Sequence, residues 1–277
     1  MPDIISTYFN IPQMDQFHRY DSPASNVRYY HHLKSAIVRD FVVKEAGADK
    51  IFLDAGAGRG PYCAIAAPLY KKIYCYEFDP AELSAAKNNT APFSEKIEYA
   101  QVDLRSIPLA DNSIDTIVCS EVLEHIPDQN QAMAELFRTL KPGGKILFSM
   151  PNAFSLFYMN VRRKKNHQVI LNELKQSGKN VFMSPEEARI SYGEWEMIRH
   201  ISFPFWKIEE IARTQDFKII KRHGANILPM PTVVRSLLMR KFPFFFKIWV
   251  ATDRFFGTIF PRLGSFYFLT LQKPAQK

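Results

Sequence analysis

The chain has 277 residues and is basic, with 36 Lys and Arg against 28 Asp and Glu and a formal charge of +8; one large α/β domain with additions suits that length, and nucleic acid, an anionic membrane surface and phosphorylated substrates all suit that charge. Cys63, Cys75 and Cys119 form no CxxC pair, which argues against a zinc site and fits core packing in a reducing cytosol. Neither a basic segment followed by an apolar run at the N-terminus nor an uncharged apolar run of about 18 residues occurs, so a cytoplasmic protein without a signal peptide or a membrane-crossing helix is expected.

Residues 1–25 are polar and irregular. Val27 to Lys44 reads as a helix, with Ser25 or Asn26 as its cap and Gly47 past its end. Strands are expected near 51–54, 72–77, 97–102, 115–120 and 144–149, with helices at about 80–89 and 129–140 between them. A further helix at 206–215 and strands at 217–222 and 265–272 follow. Alternating strand and helix predicts a parallel sheet with right-handed crossovers.

The most informative stretch is Ile51-Phe52-Leu53-Asp54-Ala55-Gly56-Ala57-Gly58-Arg59-Gly60. An apolar strand ends in an acid, then glycines alternate. A turn without Cβ atoms lets backbone N–H groups approach a ligand closely, and Pro61 suits the first turn of a following helix. The order is GxGxG, with Pro61 where a dinucleotide fingerprint has its last glycine, and no Gly-Lys-Ser/Thr follows, which excludes a phosphate loop. Ile73-Tyr74-Cys75-Tyr76-Glu77 is a second strand ending in a carboxylate, one strand–helix–strand unit later, where an acid can accept both hydroxyls of a ribose. Ile97 to Asp103 is a third strand ending in an acid, placed to accept from an adenine amino group.

The order of these pieces resembles a class I S-adenosylmethionine-dependent methyltransferase of the small-molecule, ubiquinone-type branch. The residues that carry the resemblance are LDAGAGRG at 53–60, YEFDP at 76–80, VDLRSIPLADNSIDTIVCSEVLEHIPD at 102–128 and LKPGGKILFSMPN at 140–152. It covers about residues 50–152 well and about 200–223 more loosely. It implies a doubly wound, Rossmann-like sheet of seven strands, the last antiparallel, with helices on both faces. It implies S-adenosylmethionine as cofactor and S-adenosylhomocysteine as product. Asp54 is then expected near the methionine ammonium group, Gly56, Gly58 and Gly60 beside the methionine part and ribose, and Glu77 on the ribose hydroxyls. Phe78 would flank the adenine, Asp103 would bind its amino group and Leu104 its ring, and Ser120 and Glu121 would line the sulfonium end. Methyl transfer from a sulfonium needs positioning more than a nucleophile, and a base only where the acceptor must lose a proton.

Two readings of Glu121-Val122-Leu123-Glu124-His125 stand open. Similar runs in ubiquinone-type O-methyltransferases imply a divalent metal near the acceptor hydroxyl, with Glu121, Glu124 and His125 as ligands or His125 as base; in relatives with other acceptors the run looks structural. His200 is a second candidate facing the acceptor. Met150-Pro151-Asn152-Ala153-Phe154 superficially resembles the motif of nucleic-acid amino-methyltransferases but follows the wrong strand and lacks the second proline.

The chain divides into an N-terminal lid or cap region at 1–49, the cofactor-binding core at 50–152, an acceptor-binding or lid insertion at 153–199, and the end of the sheet at 200–277. Within the last, about 228–263 is an insertion dense in Phe, with Arg235, Arg240, Lys241, Lys247, Arg254 and Arg262 interleaved and Asp253 its only acid. Phe245, Ile248, Trp249, Thr252, Phe255, Phe256 and Ile259 follow helical spacing. Such a helix suits an anionic membrane interface; packing onto the sheet is the competing reading. The expected activity is methylation, at a hydroxyl, of a small-molecule or lipid-linked acceptor. A binding module with a degenerate site, a nucleic-acid methyltransferase and a nicotinamide-dependent oxidoreductase are disfavoured by the intact turn and acids, by the lack of a nucleic-acid-binding module and by the glycine spacing.

Overall fold

The computed structural model of the protein describes residues 25–126, 128–152, 155, 204–228 and 243–275, without the side chains of 25–32, 243 and 245–247. Most of the 153–199 insertion, His200, and residues 229–242 lie outside the described residues. In chain order the elements are α1 (Ser25–Lys44), β1 (Gly47–Ala55), α2 (Pro61–Ala66), β2 (Tyr70–Glu77), α3 (Pro80–Asn89), β3 (Ile97–Gln101), β4 (Ile114–Ser120), α4 (Gln129–Thr139), β5 (Leu140–Pro151), α5 (Phe205–Thr214), β6 (Lys218–Ala225), α6 (Pro243–Ile259) and β7 (Phe266–Gln272).

The seven strands form one sheet in the order β3-β2-β1-β4-β5-β7-β6. β1 pairs in parallel with β2 and β4, β2 with β3, and β4 with β5, while β7 runs antiparallel to both β5 and β6. The sheet is the expected one, with its last strand reversed. The winding direction changes between β1 and β4, so the crevice for a ligand opens at the carboxyl ends of those two strands.

Strand period two sorts the core into two layers. Leu53, Ile117, Ile146 and Tyr267 face Met133, Leu136 and Ile208 of α4 and α5. Phe52, Ile73, Val118 and Phe268 face Leu33, Val42, Cys63 and Leu83 of α1, α2 and α3. The same alternation sends Asp54, Glu77, Ser120 and Ser149 to the α2 side, where each strand reaches its tip. The second half of α1 is a core element there: Leu33, Val38 and Val42 are buried, and the Tyr70 hydroxyl donates to the Val42 carbonyl at 2.9 Å.

α6 lies against β6 on its polar and small-residue side. Asp253 is buried and its carboxylate accepts from the backbone N–H groups of Asn226, Ile227 and Leu228 at 2.7, 2.8 and 3.0 Å. A Cβ on Gly257 would lie 2.0 Å from the Gly224 carbonyl oxygen, so helix and strand meet backbone to backbone. The large apolar side chains of α6 point the other way: Phe244 is 68% and Phe255 63% exposed, with Ile248 and Ile259 also exposed. The helical spacing read from the sequence is present, but the face it picks out is split. Trp249 and Phe256 are half-buried while Ile248, Phe255 and Ile259 face outward. Gly257→Ala should destabilise the protein by about 1–3 kcal/mol through overpacking, read as a lowered melting temperature, whereas Phe255→Ala should change it little.

Candidate active site

The glycine turn closes over the tip of β2. Gly56, Gly58 and Gly60 have φ of 79°, 52° and 78°, a region that L side chains avoid. Gly56 must lack a Cβ because the added atom would lie 2.4 Å from Val122 Cγ2. At Gly58 the nearest atom to such a Cβ is the Glu82 carboxylate at 4.0 Å, so this glycine faces open space. Its N–H donates to Glu77 Oε2 at 2.7 Å, while Glu77 Oε1 accepts from the N–H groups of Phe78 and Asp79 at 2.8 and 3.0 Å. A carboxylate has about four acceptor positions. Three are taken, which fixes the group in place and leaves capacity for a ligand hydroxyl. Burial raises the Glu77 pKa and the three N–H groups oppose that rise. Phe78, beside it, is exposed and open to a flat ring.

Asp54 is buried, and the partner its carboxylate is given is the Cys63 thiol, with Sγ 3.4 Å from Oδ2. Burial, with the Glu77 charge adding to it, outweighs that bond and raises its pKa to about 7. An entering ammonium group would supply the counter-charge that Asp54 lacks. The residues present thus fit the cofactor: a Cβ-free turn, a pinned carboxylate with spare capacity, and a buried acid suited to a cation. Asp103 behaves differently. Arg105 grips it through Nε and the terminal nitrogen at 2.6–3.1 Å and holds its pKa down, so its acceptor capacity is shared. Leu104 is buried beside it.

Ser120 and Glu121 stand at the tip of β4, joined by a residue absent from the sequence reading. Ser149, opposite Ser120 in β5, donates to Glu121 Oε1 at 2.9 Å, and its oxygen lies 2.7 Å from that of Ser120. With Ser149 donating to Glu121, Ser120 donates to Ser149. Strand alternation through Phe148 was the signal that Ser149 points to this side. Glu121 has φ of 59°, a left-handed conformation uncommon outside glycine and held here by its N–H bond to the Ser149 carbonyl at 2.9 Å.

Among the described residues no group of three or more His, Cys, Asp or Glu side chains could hold an ion. Glu124 is 5% exposed, and neither carboxylate oxygen has a hydrogen-bond partner. Burial and the neighbouring Glu121 charge raise its pKa well above the ordinary value, which disfavours the charged form. His125 ends the short 3-10 turn Leu123–His125, its N–H donating to the Val122 carbonyl at 2.9 Å. Asn152 is a structural clamp, donating from Nδ2 to the carbonyls of Arg262 and Gly264 at 2.8 and 2.9 Å.

Asp54 makes stability depend on pH. The folded state keeps a proton that the unfolded chain releases near 3.8, the ordinary value, and holds it to about 7. Stability therefore falls as pH rises across that window. Asp54→Asn should remove this fall and raise the melting temperature at pH 8 by several degrees, as thermal melts over a pH series would show.

Comparison with known proteins agrees with this geometry. Residues 53–148 match the family model described as a methyltransferase domain. A probable S-adenosylmethionine-dependent methyltransferase of Mycolicibacterium smegmatis is 34% identical over 112 residues, 39% of this chain and 39% of the relative. A ubiquinone biosynthesis O-methyltransferase of Saccharophagus degradans is 31% identical over 106 residues, 38% of this chain and 45% of the relative. These matches thus span less than half of either curated relative's length. The crystal structure of an S-adenosylmethionine-dependent methyltransferase from Methanosarcina mazei superposes with a TM-score of 0.57 at 17% identity, covering 85% of this chain and 98% of that one; this likeness speaks for the fold. Residues 53–148 are thus a methyltransferase domain, set in a sheet whose order and strand-tip acids are similar to those of class I S-adenosylmethionine-dependent methyltransferases.

Proposed function

We propose that the protein transfers a methyl group from S-adenosylmethionine to an oxygen of a small, lipid-linked acceptor, in the cytoplasm at a membrane surface. The observation that carries the cofactor half is the Glu77 carboxylate pinned to Gly58 N–H beside the open face of the glycine turn. Relatives named ubiquinone biosynthesis O-methyltransferases support an oxygen acceptor, and the outward apolar face of α6 supports a lipid-linked one.

The bound cofactor supplies a methyl group already activated on a sulfonium. Glu77 would hold the ribose hydroxyls and Asp54 the ammonium group. Ser120, Ser149 and Glu121 form a polar rim that would orient the acceptor side, and Val122, packed against Gly56, helps close the turn. The chain's contribution is to align donor and acceptor and exclude water, which can supply much of the barrier reduction. Asp103 and Leu104 would border the adenine, and His125 or His200 the acceptor.

Two measurements test this. By calorimetry, Glu77→Ala should weaken S-adenosylhomocysteine binding roughly ten- to hundredfold, the scale of one or two charge-assisted hydrogen bonds; unchanged affinity would remove Glu77 from the site. Affinity should also rise with pH through about 7 as Asp54 loses its proton and can face an ammonium group, and Asp54→Asn should flatten that rise. Transfer of labelled methyl to phenolic acceptors with and without a prenyl chain should favour the prenylated ones; methyl appearing on no hydroxyl acceptor would defeat the O-methylation reading.

A further inference from the structure

We propose that the outward face of α6 is the element that seats the protein on an anionic membrane, with the helix lying flat on the lipid surface. This deepens the lipid-linked part of the proposed function and does not rest on the methyl-transfer chemistry.

The helix is inverted relative to an ordinary surface helix, which buries its apolar stripe and exposes its polar one. Here Asp253 and Gly257 face the protein, while Phe244, Ile248, Phe255 and Ile259 recur at helical spacing on the opposite side and are all exposed. Phe260, in the turn that follows, is exposed as well. The inward side is tied down by three N–H bonds to Asp253 and by the close Gly257–Gly224 contact. Rotation that buried the rings would break those bonds and leave a carboxylate and three N–H groups to find new partners.

Charge selects the occupant. Residues 228–263 contain six Lys and Arg and one acid, Asp253. That acid is buried and spent on backbone N–H groups. Arg262 is more than half exposed and only loosely paired, 3.9 Å from Glu209, and Arg254, about a third exposed, pairs with Asp40. Aromatic rings with a basic border suit the headgroup and acyl boundary of a bilayer. No helix among the described residues is long and apolar enough to cross a membrane, and at 17 residues α6 is about 25 Å long, matched to lying in the interface.

The test is co-sedimentation of the full chain with phosphatidylcholine vesicles with and without phosphatidylglycerol, at low and high salt, alongside calorimetry with S-adenosylhomocysteine on the same samples. The wild type should pellet with the anionic vesicles and less so in high salt. The double variant Phe244→Ser/Phe255→Ser should lose about tenfold or more of that binding with cofactor affinity unchanged; Ile248→Ser/Ile259→Ser repeats the test should the first pair fail to fold. A wild type that stays in the supernatant with anionic vesicles overturns the proposal and means the face is covered by another part of the chain or by a protein. A double variant that pellets like the wild type also overturns it, and if it sediments as monomer where the wild type is a dimer, the face belongs to a second copy. Loss of cofactor binding in the wild type would sink the methyltransferase reading and leave the vesicle result standing.

Discussion

The bond from Gly58 N–H to the Glu77 carboxylate ties the loop after β1 to the tip of β2, and the shape of the crevice follows from it. It requires a left-handed glycine at 58, because the N–H must turn toward β2 while the other side of the residue stays open. It requires Glu77 to point to the α2 side, which strand alternation guarantees once Ile73 and Cys75 are in the core. The same turn is anchored from α3: Asn89 donates to the Arg59 carbonyl at 3.1 Å, and Arg59 pairs with Glu82 at 3.2 Å. The exposed Arg59–Glu82 pair adds little stability on its own; its effect is to hold the loop against the helix that Asp79 caps.

The central sheet was legible because period two and the glycine turns are local signals that tertiary packing then agreed with. Asp54 and Glu77 are at the ends of their strands, whereas β3 stops at Gln101 and Asp103 lies two residues past it. What was not legible depends on pairing across the sheet. Ser149 became part of the site because β5 lies beside β4 in a register that sets it opposite Ser120, and no local pattern gives a register. Glu121-Val122-Leu123-Glu124-His125 reads as three ligands in sequence, yet the chain there turns through a left-handed Glu121 and a 3-10 turn that buries Glu124. α6 was legible as a helix, but which side faces the protein was decided by Asp253 finding the N–H groups after β6, a contact about 25 residues away in sequence.

The buried acids divide by location, and that division ties fold to function. Glu209, on α5, accepts from Arg222, Arg213 and Tyr267 at 2.6–3.0 Å. Burial pushes its pKa up, but Arg222, Tyr267 and Arg262 outweigh that and hold it down to about 2. It locks α5 onto β6 and β7. Asp253 is likewise satisfied by three N–H groups. These two charges are structural, each held by at least three hydrogen bonds from its own surroundings.

Asp54 and Glu124 are the opposite case. Both are buried; one is bonded only by neutral groups of Cys63 and the carboxylate oxygens of the other have no hydrogen-bond partner, and both have raised pKa values. Burying an unpaired carboxyl is unfavourable, so a chain folded for stability alone would place apolar side chains there. Both lie within two residues of the contact where Gly56 packs on Val122, and Glu121, beside Val122, is in the left-handed conformation. Strain and under-partnered carboxyl groups therefore meet at the ends of β1 and β4. A cationic ligand head is the chemistry that would relieve Asp54. Burial and the Glu121 charge favour the protonated form of Glu124, and a protonated carboxyl can donate a hydrogen bond.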